Sequence, residues 1–267
     1  MPQIKVIVNG ALGRMGQQVV SAIAADPELE LVGGADIKAD REYLTVPGHT
    51  KKVPLHGDLI SVIEMFHPAV VVDFTVAEAA MNAARLALKN GSNIVMGTTG
   101  LSDKNLKEID ALALEYNKGA IVAPNFAIGA VVLMHLAKIA ARYLDNAEII
   151  ELHHDKKVDA PSGTALATAR LMSKSRGKPF IYPKTEKETL KGTRGGEDNG
   201  IAIHSVRLPG LVASQEVIFG ALGQTLSIRH DTISRECFMP GVILAVKEVV
   251  KRHGLVFGLE ALLNLGE

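Results

Sequence analysis

The chain has no tryptophan, four tyrosines, seven phenylalanines and one cysteine among 267 residues. Aromatics at 4% leave too few rings for a base-stacking platform. Cys237 has no second cysteine to pair with, which predicts a reducing, cytoplasmic setting. Charge of one sign is also missing. The 29 Lys and Arg balance 29 Asp and Glu, so nucleic acid is not expected as the main partner, although a local basic patch for a small anion remains open. No apolar run approaches the roughly 18 residues of a bilayer span, so no membrane partner is expected. The first ten residues lack the long apolar stretch and small-residue cleavage site of a secretory signal. What is present is 47% hydrophobic residues and enough length for one large or two modest domains. That combination predicts a mixed α/β enzyme acting on small molecules.

The first half alternates strand-like and helix-like patterns. Strands are predicted at Ile4–Val8, Leu29–Gly34, Val70–Phe74, Asn93–Met96 and Ala120–Ala123. Helical spacing follows at Met15–Ile23, Ala77–Asn90 and after Ser102. This alternation implies a doubly wound parallel sheet. The second half begins with an apolar helix from about Ile128 to Tyr143. A strand at Ala147–His153 and a helix at Gly163–Ser175 follow. Residues 177–200 lack periodicity and read as a mobile loop. Strand-like stretches near 201–207, 214–220 and 223–230 suggest a largely antiparallel sheet, and a last helix covers about Met239 to His253. The expected domains are therefore 1–126 and 127–239, with a C-terminal helical segment 240–267 returning to the first.

Two segments carry chemistry. Gly10-Ala11-Leu12-Gly13-Arg14-Met15-Gly16 links a strand to a helix. Glycines there allow a tight turn and close approach of backbone to a pyrophosphate, and the helix start adds free N–H groups. Asp36, 20 residues on, stands where an acid meets the adenosine ribose. Lys38 can pair with a 2′-phosphate, so NADH, NADPH or both are compatible; a plain surface lysine fits equally well. The loops Gly97-Thr98-Thr99 and Ala123-Pro124-Asn125-Phe126 follow strand ends and suit the nicotinamide half, although loops are rich in such residues anyway. The N-terminal half thus reads as a Rossmann-type domain.

The second segment is Glu151-Leu-His153-His154-Asp-Lys-Lys157-Val-Asp-Ala-Pro-Ser162-Gly163-Thr164-Ala165. Histidine titrates near neutrality, making His153 and His154 candidate proton donors. Lys157 can bind an anion or act as an acid. Ser162, Gly163 and Thr164 at a helix start suit a carboxylate. Each has a bland alternative, namely a satisfied structural histidine, a solvated lysine and a simple helix cap. A zinc site from His153, His154 and Asp155 is disfavoured because consecutive residues seldom converge on one metal; no metal is expected. No Gly-x-Ser-x-Gly elbow suggests a hydrolase.

Together the GALGRMG, GTTG, APNF and ELHHDKKVDAPSGTA segments resemble the 4-hydroxy-tetrahydrodipicolinate (dihydrodipicolinate) reductase family, over essentially the whole chain. The resemblance implies a Rossmann-type doubly wound sheet plus a smaller α+β substrate domain. It implies NAD(P)H-dependent reduction of a small dicarboxylate in lysine and diaminopimelate biosynthesis. His153 would be proton donor and acceptor, and Lys157 a second donor that contacts substrate. His154, Ser162, Gly163 and Thr164 would hold the dicarboxylate. The cofactor would touch Gly10 to Met15, Asp36, Gly97 to Thr99 and Ala123 to Phe126. The resemblance also implies a homotetramer built through the substrate-domain sheet. Another two-domain dehydrogenase of small acids, or a non-catalytic NAD(P)-binding regulator, would share the glycine loop but has no need of the His-His to Ser-Gly-Thr segment.

Overall fold

The computed structural model describes residues 2–48 and 52–265. The expected domain limits at 1 and 267, and the last two positions of the C-terminal segment, lie outside the described residues. Two units emerge, Met1–Ile128 with Arg235–Glu267, and Gly129–Ser234.

The first unit runs β1 (Ile4–Asn9), α1 (Arg14–Ala25), β2 (Leu29–Ala35), β3 (Tyr43–Leu44), β4 (Val53–His56), α2 (Leu59–Phe66), β5 (Val70–Asp73), α3 (Ala77–Lys89), β6 (Asn93–Met96), α4 (Asp103–Glu115) and β7 (Gly119–Val122). Then α5 (Ile128–Ala140) begins where the units divide. The second unit continues with β8 (Asn146–His153), α6 (Gly163–Arg176), β9 (Gly196–Asp198), β10 (Ile201–Arg207), β11 (Ala213–Ala221) and β12 (Gln224–Thr232). The chain re-enters the first unit as α7 (Met239–Val249) and β13 (Gly254–Phe257).

The first sheet has the order β13-β7-β6-β5-β1-β2-β4-β3, and every pairing is parallel except β3 with β4. Strands covered on both faces need continuous apolar runs, and Val70–Asp73 and Gly119–Val122 are buried at every position. Ser102 starts α4 with a reciprocal capping box to Asn105. Short β3, β4 and helix α2 were not among the expected elements; the two strands hold two and four residues, too few to show a period. The expected final helix stops at Val249. Gly254, at φ +78, then turns the chain into β13, which pairs with β7 at the sheet edge.

The second sheet has the order β12-β11-β8-β10-β9. Three of its pairings are antiparallel, but β10 runs parallel to β8. Helices α5 and α6 supply Leu133, Ala137, Ala165, Ala169 and Met172 to a core completed by Ile149, Ile201, Val217 and Phe219 from the sheet. Period-two alternation puts Ala147, Ile149 and Glu151 on this buried face of β8. Segment 177–200, expected as a mobile loop, is tied down. β9 pairs with β10, Phe180 is buried, and Glu148 accepts hydrogen bonds from Arg194 (2.6 Å) and His204 (2.9 Å).

At the β1–α1 turn, Gly10 has φ +77, and its carbonyl accepts the Gly13 N–H at 3.0 Å. A Cβ on Gly16 would lie 2.0 Å from that carbonyl oxygen, a clash with rigid backbone. Gly16→Ala is therefore expected to destabilise the chain by about 1–3 kcal/mol, read as a lower urea midpoint. An unchanged midpoint would show that the turn has slack.

Candidate active site

The carboxyl end of β1 leads into the glycine loop, and chain order in the sheet reverses between β1 and β5. Open α/β sheets bind ligands at such a reversal. Gly13 begins α1 with no side chain capping it, so first-turn N–H groups remain for an anion. Gly10 and Ala11 donate their N–H groups to the Ala35 carbonyl. Asp36, at the end of β2, accepts the Leu12 N–H and the Lys38 N–H, each at 2.9 Å. The acid thus ties the loop to the next strand and retains lone pairs for a further donor. Arg14, Lys38 and Ile37 are exposed beside it. A cavity of about 330 Å³ adjoins Ala11 and Leu12, walled by Gln18, Arg41, Leu44 and Pro47. Bare backbone at an uncapped helix start, an acid at the next strand end and an adjoining cavity fit a dinucleotide.

Asp73 ends β5 and is fully buried. It accepts Asn9 Nδ2 (2.6 Å), the Thr75 N–H (3.1 Å), the Thr75 hydroxyl (2.9 Å) and the Thr98 hydroxyl (3.2 Å). Burial pushes its carboxyl above the usual range, against the lowering effect of these bonds. The acid joins the ends of β1, β5 and β6. Thr98 therefore spends its hydroxyl on Asp73 and on the Thr75 carbonyl (3.1 Å). Thr99 is exposed. Gly97 is required because a Cβ there would lie 2.0 Å from the Phe74 ring, which in turn packs on Phe126 with centroids 5.6 Å apart. Pro124 is exposed, Ala123 is buried, and Asn125 accepts the Ala127 N–H.

In the second unit, the buried Glu151 is the hub. Its Oε2 accepts His153 Nδ1 at 2.5 Å and Arg207 Nη1 at 2.8 Å. Its Oε1 accepts Arg207 Nη2 at 2.7 Å and the Ser162 N–H at 3.1 Å. Burial alone would raise this carboxyl, but the bonds from Arg207, Ser205 and His153 outweigh it and hold it below the ordinary value. His153 is shifted down, first by burial and then by the Lys157 and Arg207 charges, with Glu151 opposing. Arg207 also donates to the Asp159 carbonyl at 2.8 Å, bracing the turn that follows His154.

The segment predicted as an anion cradle lies at the start of α6. The Ser162 hydroxyl accepts the Ala165 N–H at 3.1 Å, so its oxygen caps the helix. Gly163 is exposed, with open space where a Cβ would be. Thr164 and His154 are half-buried. Lys157 pairs with the exposed Asp159 at 2.7 Å. A cavity of about 420 Å³ is lined by Pro161, Leu166, Gly192, Glu197, Ile203 and Ser205. Sequence reasoning assigned no role to Glu151, Arg207, Asp73 or Asn9. Glu151 stands two residues before His153 on one strand face, a period-two signal. Arg207 is 56 residues from Glu151 and had no local signal.

Models of the dihydrodipicolinate reductase N-terminus and C-terminus match residues 4–126 and 129–263. A 4-hydroxy-tetrahydrodipicolinate reductase of Dehalococcoides mccartyi is 52% identical over 265 residues, covering 99% of this chain and 100% of the relative. One from Syntrophomonas wolfei is 49% identical, covering 97% and 98%. The dipicolinate-bound dihydrodipicolinate reductase of Paenisporosarcina sp. TG-14 superposes with a TM-score of 0.87 at 42% identity, covering 97% of this chain and 99% of that one. By these matches along nearly its whole length, the chain belongs to the dihydrodipicolinate reductase family.

Proposed function

We infer that this chain reduces 4-hydroxy-tetrahydrodipicolinate to tetrahydrodipicolinate in lysine and diaminopimelate biosynthesis. Substrate, NAD(P)H and one proton give product, NAD(P)+ and water. The carrying observation is His153, backed by the buried Glu151, on the same strand-to-helix segment as the Ser162–Thr164 helix start. A relative 42% identical was solved with dipicolinate bound, which supports a planar dicarboxylate as the substrate class.

The dinucleotide, when bound, supplies the hydride. The residues that would hold it are Gly10, Ala11, Leu12, Gly13, Arg14 and Met15 at the pyrophosphate and Asp36 at the ribose. Gly97, Thr98, Thr99, Ala123, Pro124, Asn125 and Phe126 would line the remainder. The Thr98 contribution is indirect, because its hydroxyl is engaged by Asp73. Lys38 would meet a 2′-phosphate.

His153 donates a proton from Nε2 to the negative charge that reduction leaves on the conjugated ring. Lys157 neutralises a substrate carboxylate, which takes the place of its exposed partner Asp159, and serves as a second proton donor. The N–H groups of Gly163 and Thr164 and the Thr164 hydroxyl receive a carboxylate at the α6 start, with His154 alongside. Ser162 shapes that cradle from beneath, its oxygen on Ala165 N–H and its own N–H on Glu151. Assembly would use the second sheet, whose terminal strand β12 exposes residues 224–227, to give a homotetramer. Among the described residues no helix is long and apolar enough to cross a membrane, and Cys237 is the lone thiol; both support work in the cytoplasm.

Purified protein is expected to oxidise NADH or NADPH only when the preceding synthase forms the substrate in the same cuvette. No turnover with either cofactor would overturn the reading. His153→Gln should lower kcat about 100- to 10,000-fold while leaving NADH affinity, measured by fluorescence, within twofold; an unchanged kcat removes His153 from its role. Lys38→Ala should lower the NADPH-to-NADH ratio of kcat/KM about tenfold. A constant ratio would make Lys38 a surface lysine.

A further inference from the structure

Glu151 is fully buried, yet donors occupy both its oxygens. A carboxyl proton would displace one of them, so the group is an anion here. An ionised carboxylate only accepts. The imidazole nitrogen 2.5 Å away must therefore carry hydrogen, in neutral and charged imidazole alike. This fixes Nδ1–H and leaves Nε2 as the nitrogen that gains and loses a proton.

The same anion reaches the substrate cradle. Its Oε1 accepts the N–H of Ser162, the residue that caps α6. Arg207 completes the clamp. It grips both carboxylate oxygens in a fork and holds the Asp159 carbonyl with the same guanidinium. One carboxylate thus joins the end of β8, the end of β10 and the start of α6.

We propose that Glu151, clamped by Arg207, is the positioning residue of this site: it locks His153 in the Nδ1–H form with Nε2 as the working atom, and it sets the start of α6 at a fixed place relative to that atom. The assignment of the reaction rests on the reductase reading; the tautomer lock and its geometry do not. Charged groups facing His153 are Glu151 from β8, Arg207 from β10, and Lys157 from the following turn, the last already paired with Asp159.

The test uses full-length Glu151→Gln with 15N-labelled histidine, followed by NMR, with His153→Gln to assign the resonance. The wild type should show the Nδ1–H tautomer when neutral. In Glu151→Gln the tautomers should mix. The His153 titration should also move to lower pH by about one pH unit, because the anion that stabilised imidazolium is gone while Arg207 and Lys157 remain. In the coupled assay, kcat should fall about 10- to 100-fold, with NADH affinity unchanged and the alkaline limb of the kcat profile displaced to lower pH. A pure Nδ1–H tautomer with an unmoved titration in Glu151→Gln would overturn the proposal, whatever the reaction proves to be. Absence of wild-type turnover beside a lost lock would instead overturn the reductase reading alone. Should Glu151→Gln fail to fold, Glu151→Asp decides. Its shortened carboxylate cannot span His153 and Ser162 together, so kcat should fall at least about tenfold at constant NADH affinity. A kcat within twofold of wild type would contradict the proposal.

Discussion

One buried carboxylate, Glu151, sets the terms for the second unit. Moving such a charge out of water costs several kcal/mol, and the cost is met only by good geometry on every lone pair. Arg207 supplies two bonds, and His153, the Ser205 side chain and the Ser162 N–H one each. The parallel pairing of β8 and β10 makes this possible. Its register sets Ser205 opposite Glu151 and Arg207 opposite His153, so a guanidinium from the neighbouring strand end reaches back to the acid. An antiparallel β10 would send its chain end the other way. The strand direction is thus a functional feature of the sheet.

The first unit holds a comparable acid under different electrostatics. Asp73 is equally buried and also joins three chain segments, but its partners are an amide, two hydroxyls and a backbone N–H. With no cation among these partners, burial wins and its carboxyl shifts up. At Glu151 the guanidinium reverses the balance and the carboxyl shifts down. The sign matters for the use of each site. Asp73 tethers the ends of β1, β5 and β6, whereas Glu151 must remain an anion to orient an imidazole.

How much of this was legible in the sequence depends on how local the cause is. The glycine loop announces itself because turn, helix start and close backbone approach all act within Gly10–Gly16. Asp36 follows at the spacing of one βαβ step. The run from His153 to Thr164 could be read because a strand end, a turn and a helix cap are contiguous. Glu151 was visible only as a residue two positions before His153. Its burial depends on α6 covering that face, and its charge depends on Arg207, far along the chain. The two-residue β3 and four-residue β4 and β13 owe their strand state to pairing with neighbours, not to their own pattern. Segment 177–200 has no periodicity because side-chain ties such as Arg194 with Glu148, together with the short β9, hold it in place.

The most direct test of the Glu151 clamp is a double-mutant cycle on kcat with Glu151→Gln and His153→Gln. If Glu151 acts through His153, the double variant should be no slower than His153→Gln alone, within about threefold, because no imidazole remains to orient. Losses that multiply in the double variant would show that Glu151 acts through the start of α6 and not through the histidine, and would contradict the tautomer lock.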